Sequence, residues 1–201
     1  RQRDIASLPV DRSIVITSRE AIELRDVPQR VVIVGGGATG CEFAHIWNTY
    51  GAEVTIVELL PSLIPNEDAE IGAQLQRSFR RQGINFMTGA NVGGITVTGN
   101  TASVAVSANG ESSTIDCDKV LVAVGVQGNI DNIGLDAAGI ETDRGFIQID
   151  ERMQTNVAGV YAIGDVTGKL LLAHVASAQG VTAVETIAGL DPPQLDYTLM
   201  P

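Results

Sequence analysis

Hydrophobic positions fall into short, regularly spaced blocks along the chain. Val31-Val32-Ile33-Val34 is an unbroken β-branched run, the pattern of a strand covered on both faces in a parallel sheet, and it stops at Gly35. A helical stretch follows to about Tyr50 and closes at Gly51, and Glu53–Glu58 reads as the next strand. From Asp68 to Gln82, Ile71, Leu75 and Phe79 share one face of a predicted helix. Glu67, Asp68 and Glu70 stand at its start and Arg77, Arg80 and Arg81 towards its end, a distribution that suits the helix dipole. Gly83 ends it, and Ile84–Met87 reads as a third strand. Residues 1–27 read as an irregular lead-in with one short helix. Its capping-box pattern, Thr17-Ser18-Arg19-Glu20, precedes Ala21, Ile22 and Leu24, and Pro28 stops it.

The alternation of strand and helix predicts an open parallel sheet. Between Val92 and Cys117 helical periodicity fades, and the turn dipeptides Gly99-Asn100 and Asn109-Gly110 predict a small antiparallel meander. Val120–Val124 reads as another buried strand ending at Gly125. Beyond Gly145 come an alternating stretch, Phe146–Asp150, and a short apolar run, Val160–Ile163, that stops at Gly164-Asp165. A last helix is expected from about Leu172 to Ala188, then a tail whose Leu195, Tyr197, Leu199 and Met200 look exposed, as though the fold were unfinished there.

Composition narrows the function classes. The chain has 201 residues, 44% of them apolar and 18% charged, which excludes intrinsic disorder. No run reaches the roughly 18 apolar residues of a membrane helix, so a soluble, cytoplasmic protein is expected. The net charge is −11, and the excess of acid falls wholly beyond residue 30. Such a surface repels nucleic acid and anionic lipid, so an anionic ligand must be held locally, by backbone amides. Cys41 and Cys117 are too few and too far apart for a disulfide framework or a zinc site, and buried reduced thiols are expected.

Gly35-Gly36-Gly37-Ala38-Thr39-Gly40 fits G-x-G-x-x-G between a predicted strand and a predicted helix. Gly35 permits the tight turn, Gly37 lets a pyrophosphate approach the backbone, and Gly40 lets helix and strand pack closely, while the helix N-terminus offers free amides. Glu58 ends the second strand 18 residues after Gly40, where an acid can accept both ribose hydroxyls of a dinucleotide. A 2′-phosphate there would meet like charge, and Leu59, Leu60 and Pro61 bring no cation to offset it. NAD is therefore favoured over NADP. The fold class expected is α/β, with a Rossmann-like parallel sheet, an inserted meander and a partial further domain.

Gly35–Ala44 with Gly51–Glu58 resembles the NAD domain of the pyridine nucleotide–disulfide oxidoreductases. Thr155–Asp165 is similar to that family's second flavin motif, and Leu172–Gly180 to the segment after it. Within the family the likeness is greatest to the dihydrolipoamide dehydrogenases. The resemblance implies that Gly35, Gly36, Gly37, Ala38, Thr39 and Gly40 bind the NAD pyrophosphate, that Glu42 faces the nicotinamide end, and that Glu58 holds the adenosine ribose. It implies that Val92 contacts adenine through its backbone and that Gly125 lines the NAD cleft. Asp165 would bind the ribitol and phosphate region of FAD, and Leu171, Leu172, Ala173 and His174 would lie beside the isoalloxazine. The implied segments are a lead-in over 1–27, an NAD-binding domain over 28–150, and part of a discontinuous FAD-binding domain over 151–201.

Three departures stand out: Thr39 for a bulky aliphatic, Val126-Gln127-Gly128 for Arg-Arg-Pro, and Ala178-Gln179 for a pair of acids. The family's redox cysteine pair, first flavin motif and His–Glu pair have no counterparts in these residues, so the chain alone is expected to be inactive. As part of a full-length enzyme the resemblance implies FAD, NAD, a lipoyl-bearing substrate and a homodimer. Mercuric reductase, glutathione reductase and soluble transhydrogenase relatives remain open, as does a stand-alone NAD-binding module. His45 and Cys41 read as surface and packing residues.

Overall fold

The computed structural model describes residues 1–3 and 5–200, which form two compact units: Gln2–Gly125, and residues 126–200 with Arg1. The first unit runs β1 (Val15–Ile16), α1 (Ser18–Glu23), β2 (Arg30–Val34), α2 (Ala38–Thr49), β3 (Glu53–Val57), α3 (Ala69–Gln82), β4 (Asn85–Met87), β5 (Ala90–Thr98), β6 (Thr101–Ala108), β7 (Glu111–Cys117) and β8 (Lys119–Val122). Five strands make one parallel sheet in the order β1-β8-β2-β3-β4, and β5-β6-β7 make the predicted antiparallel meander. The turns of that meander fall at Gly99-Asn100 and Asn109-Gly110, as their residue types dictate.

Side chains alternate across a strand, so an apolar run with no polar break needs cover on both faces. Val32 and Val34 point into a core shared with Val104 and Val106 of the meander, together with Val57, Val120 and Val122. Val31 and Ile33 point the other way, against Cys41, Ala44 and Trp47 of α2 and Phe79 of α3, beside Val54 and Ile56. The meander thus does for one face what helices do for the other. Ile33 and Ile56 are fully buried, and truncation of such a residue to Ala costs about 2–5 kcal/mol.

Several elements differ from the sequence reading. The lead-in supplies an edge strand, β1, which pairs parallel with β8. Asp11 organises its approach by accepting N–H bonds from Ser13, Ile14 and Val15 at 2.7, 2.7 and 3.0 Å. Burial alone would raise the pKa of Asp11, but these bonds with the Lys119 charge hold its carboxyl below the usual range. The predicted capping box is present: the Thr17 hydroxyl and N–H both donate to Glu20, at 2.6 and 3.0 Å, and that hydroxyl bond leads in lowering the Glu20 pKa. In α3, Ile71 is exposed. Gly72 turns inward instead, because the helix lies so close to Ser62 and Leu63 that a Cβ at Gly72 would sit 2.6 Å from Ser62 Oγ. β8 stops at Val122, its last sheet bond running from Ala123 N–H to Val34 O at 2.7 Å, since β2 has then entered its turn.

The second unit holds α4 (Leu135–Ala138), a two-residue-per-strand hairpin of β9 (Thr142–Asp143) and β10 (Phe146–Ile147), a 3₁₀ turn at Gly164–Thr167, and α5 (Ala173–Ile187). Val160–Ile163 is no strand; an isolated bridge joins Tyr161 to Gln154. Thr155 closes the intervening loop on itself, its N–H and hydroxyl both donating to Val160 O at 2.8 and 3.0 Å. Of the tail residues expected to be exposed, Leu199 is, whereas Leu195, Tyr197 and Met200 are half-buried. Arg152 donates to Pro192 O at 2.8 Å and pairs with Asp191, and Tyr197 is half-buried against α5, leaving Leu199 strongly exposed. Division into units falls at Gly125/Val126, whereas the expected functional segments meet at 150. Among the described residues no helix is long and apolar enough to cross a membrane.

Candidate functional site

The strand order places a reversal at β2: β3 and β4 extend to one side and β8 lies on the other. Ligands of open parallel sheets bind at the carboxyl ends of strands beside such a reversal. The glycine turn stands there. Gly35 has φ +110°, and a Cβ on it would lie 2.4 Å from the carbonyl oxygen of Ala123. A Cβ on Gly40 would lie 2.0 Å from the Gly35 oxygen, so α2 rests directly on its own turn. Both contacts are with backbone, which cannot move aside cheaply. Gly37 is the opposite case: no atom lies within 4 Å of where its Cβ would be. It is the N-cap of α2, and no side chain caps the helix. The first-turn amides of α2, with exposed Ala38 and Thr39, therefore face open space with the positive end of the helix dipole behind them.

Glu58 closes the other side. It is 7% exposed. One carboxylate oxygen accepts the Gly36 N–H at 2.5 Å and the other accepts the Leu60 N–H at 2.7 Å. A carboxylate has about four acceptor positions, so two stay available for hydroxyl donors. The Gly36 carbonyl is held in turn by Ile64 N–H at 2.7 Å and the Cys41 thiol at 3.3 Å. This anchoring of the turn by Glu58 was not legible in sequence, because Leu60 and Ile64 contribute only backbone groups, which residue type does not announce. Burial, with the charges of Glu58 and Glu42, pushes the Cys41 thiol up to about 11, and burial first does the same to Cys117. Both thiols are free, and they lie in the two separate cores on opposite faces of the sheet.

The remaining residues singled out by sequence fall as follows. Glu42 is exposed in the first turns of α2. Val92 buries its side chain in β5, beside a bulge; Ala90, two residues before it, donates its N–H to Glu58 O at 2.9 Å. Gly125 follows β8 next to the Ala123–Val124 segment that Gly35 touches. His45 is exposed, its Nδ1 3.0 Å from Gln82 Oε1. All of these lie in the unit Gln2–Gly125. Asp165, Leu171, Leu172, Ala173 and His174 lie in the other unit and are exposed around the 3₁₀ turn and the uncapped start of α5. Among the described residues no three His, Cys, Asp or Glu gather as a metal-binding group.

The parallel sheet with its separate antiparallel meander is the fold of the flavoprotein disulfide reductases. A family model described as pyridine nucleotide-disulphide oxidoreductase matches residues 7–180, and the chain belongs to that family. It is 49% identical over 200 residues to a dihydrolipoyl dehydrogenase of Chlorobaculum parvum, covering 99% of this chain and 43% of the relative. Identity to that of Mycobacterium leprae is 49% over 189 residues, covering 93% and 40%. Among solved structures, LpdA of Mycobacterium tuberculosis superposes with a TM-score of 0.87 at 30% identity, over 96% of this chain and 42% of that one. The HOCl-induced flavoprotein disulfide reductase RclA of Escherichia coli gives 0.85 at 26%, over 96% and 44%. The chain spans about two fifths of the length of these relatives.

Proposed function

We propose that the chain is the NAD-binding part, with one flavin-side segment, of an enzyme that oxidises dihydrolipoamide in the cytoplasm. The carrying observation is the pairing of an open amide face at Gly37 with the buried carboxylate of Glu58, which fits a diphosphate joined to a ribose diol. In this reading the first-turn amides of α2 take the pyrophosphate, and Glu58 takes the two adenosine ribose hydroxyls on its free acceptor positions. Val92 contributes backbone toward the adenine, and Gly125 and Glu42 lie toward the nicotinamide end. Asp165 takes the flavin ribitol and phosphate region, and the start of α5, with Leu171, Leu172, Ala173 and His174, faces the isoalloxazine. When bound, the two cofactors supply the relay of electrons from a thiol pair to a nicotinamide. The relay needs a disulfide, and Cys41 and Cys117, buried in different cores, cannot form one. The chain alone is therefore inactive, and the full-length protein, as a homodimer, performs the reaction.

Calorimetry on this chain with NADH and NADPH tests the reading. NADH is expected to bind at least about tenfold more tightly, since a 2′-phosphate beside Glu58 loses a charge-assisted bond of about 1.5–3 kcal/mol and meets like charge. Glu58→Ala should weaken NADH by a similar factor. Equal affinity for the two nucleotides would refute the assignment. In the full-length protein, turnover with dihydrolipoamide against oxidised glutathione decides the substrate.

A further inference from the structure

The second unit contains a buried polar side chain for which the functional reading so far has no use. Gln179 lies in the middle of α5 at 0% exposure. It shares the inward face of that helix with Val175, Thr182 and Ala183, so its amide is in the interior with no solvent to satisfy it. A buried amide must find protein partners for its oxygen and its nitrogen. Its oxygen accepts the Gly164 N–H at 2.6 Å, and its nitrogen donates to the Tyr197 hydroxyl at 2.9 Å and, more weakly, to Thr167 Oγ1 at 3.5 Å. The Thr167 hydroxyl donates to the Gly164 carbonyl at 2.8 Å. Both main-chain polar groups of Gly164 are thus tied down by two buried side chains.

We infer that Gln179 is a positioning residue for Asp165: by holding Gly164 from behind, it sets the direction in which the exposed Asp165 carboxylate is presented. The inference rests on the flavin reading of Asp165. The turn at Gly164–Thr167 is a single 3₁₀ turn outside any strand, packed against α5 and β10, and these side-chain bonds are what tie the polar groups of Gly164. An amide at position 179 can both accept from Gly164 and donate to Tyr197, which makes Tyr197, in the tail, part of the same support. A carboxyl group in its place keeps the acceptor for Gly164 and can accept from Tyr197, whose hydroxyl rotates to donate. A leucine of similar size keeps the volume and loses both bonds.

The test uses the full-length protein stripped of flavin and titrated with FAD, with quenching of flavin fluorescence as the readout. Q179L is expected to raise the FAD dissociation constant at least about tenfold, the loss of a buried hydrogen bond that leaves its partner unsatisfied. Q179E is expected to stay within about threefold of the parent, and Y197F to fall between the two. NADH affinity should not change in any of them. Unchanged FAD affinity in Q179L overturns the inference, as does a Q179E variant as defective as Q179L. Should Q179L not fold, unchanged affinity in Y197F overturns it instead. A control, Asp165→Ala, separates the two levels. If it binds FAD like the parent, the flavin reading of Asp165 fails; if it weakens FAD while Q179L does not, only the role of Gln179 fails.

Discussion

The protein has two glycine turns of chemical interest, and they are held in place by different means. The turn at Gly35–Gly40 emerges from a strand bonded on both sides, so its position is set by the parallel ladder and by two apolar cores. Side chains contribute two buried groups, the Glu58 carboxylate and the Cys41 thiol, both on Gly36. The turn at Gly164–Asp165 has no ladder behind it and is held by Gln179, Thr167 and Tyr197. A ladder fixes a turn through groups that every residue carries, whereas a side-chain scaffold depends on particular residues and on complete satisfaction of each polar atom.

The sharpest break of this contrast is Gly40→Ala. The added methyl would stand 2.0 Å from a backbone oxygen, and separating helix from turn should cost about 3 kcal/mol or more, seen as a lowered urea midpoint. Next is Gln179→Leu, which leaves the Gly164 N–H unsatisfied and should cost about 1–3 kcal/mol in the same assay. Gly37→Ala sharpens the comparison from the other side. The space around Gly37 is open and its φ of −74° suits alanine, so stability should change by less than about 1 kcal/mol. NADH affinity should nonetheless fall about tenfold by calorimetry, because the methyl intrudes where a phosphate must approach, with the loss of about one charged hydrogen bond.

The smallest effect concerns the thiols. Folding raises the pKa of Cys41 and of Cys117 to about 11, chiefly through burial, above an ordinary value of 9.0. The stability linked to these protonated thiols is fully present below pH 9.0 and is lost as pH rises through about 11. A pH series of urea midpoints should slope downward in that window, and Cys41→Ala with Cys117→Ala should flatten it. Iodoacetamide labelling at pH 9 should be no faster than global unfolding; faster labelling would show that the thiols are reachable in the native fold.

The same contrast explains what could be read in advance. The strands β2 and β3, the helices α2 and α3, the meander turns and the glycine motif were legible, because each is written in local periodicity or in residues with special backbone needs. Ile71 misled because the face of α3 was decided by how closely Ser62 and Leu63 approach Gly72, a contact between separate segments. The apolar run Val160–Ile163 left its conformation open, and the fold makes it no strand because Thr155 turns the chain back on Val160. Ser177-Ala178-Gln179-Gly180 gave no sign that one amide would sit wholly inside, tied to a tyrosine 18 residues further on.

By itself, then, the amino-acid order determined the parallel sheet, the glycine turn and the acid opposite it, since hydrophobic period, backbone freedom and motif spacing act over short stretches. Tertiary structure alone decided that β1 joins the sheet through β8, that Glu58 braces Gly36 and Leu60, and that Tyr197 supports Gln179. These depend on which distant backbone and side-chain groups meet once water is excluded, and such pairings exist only when the whole chain has closed around them.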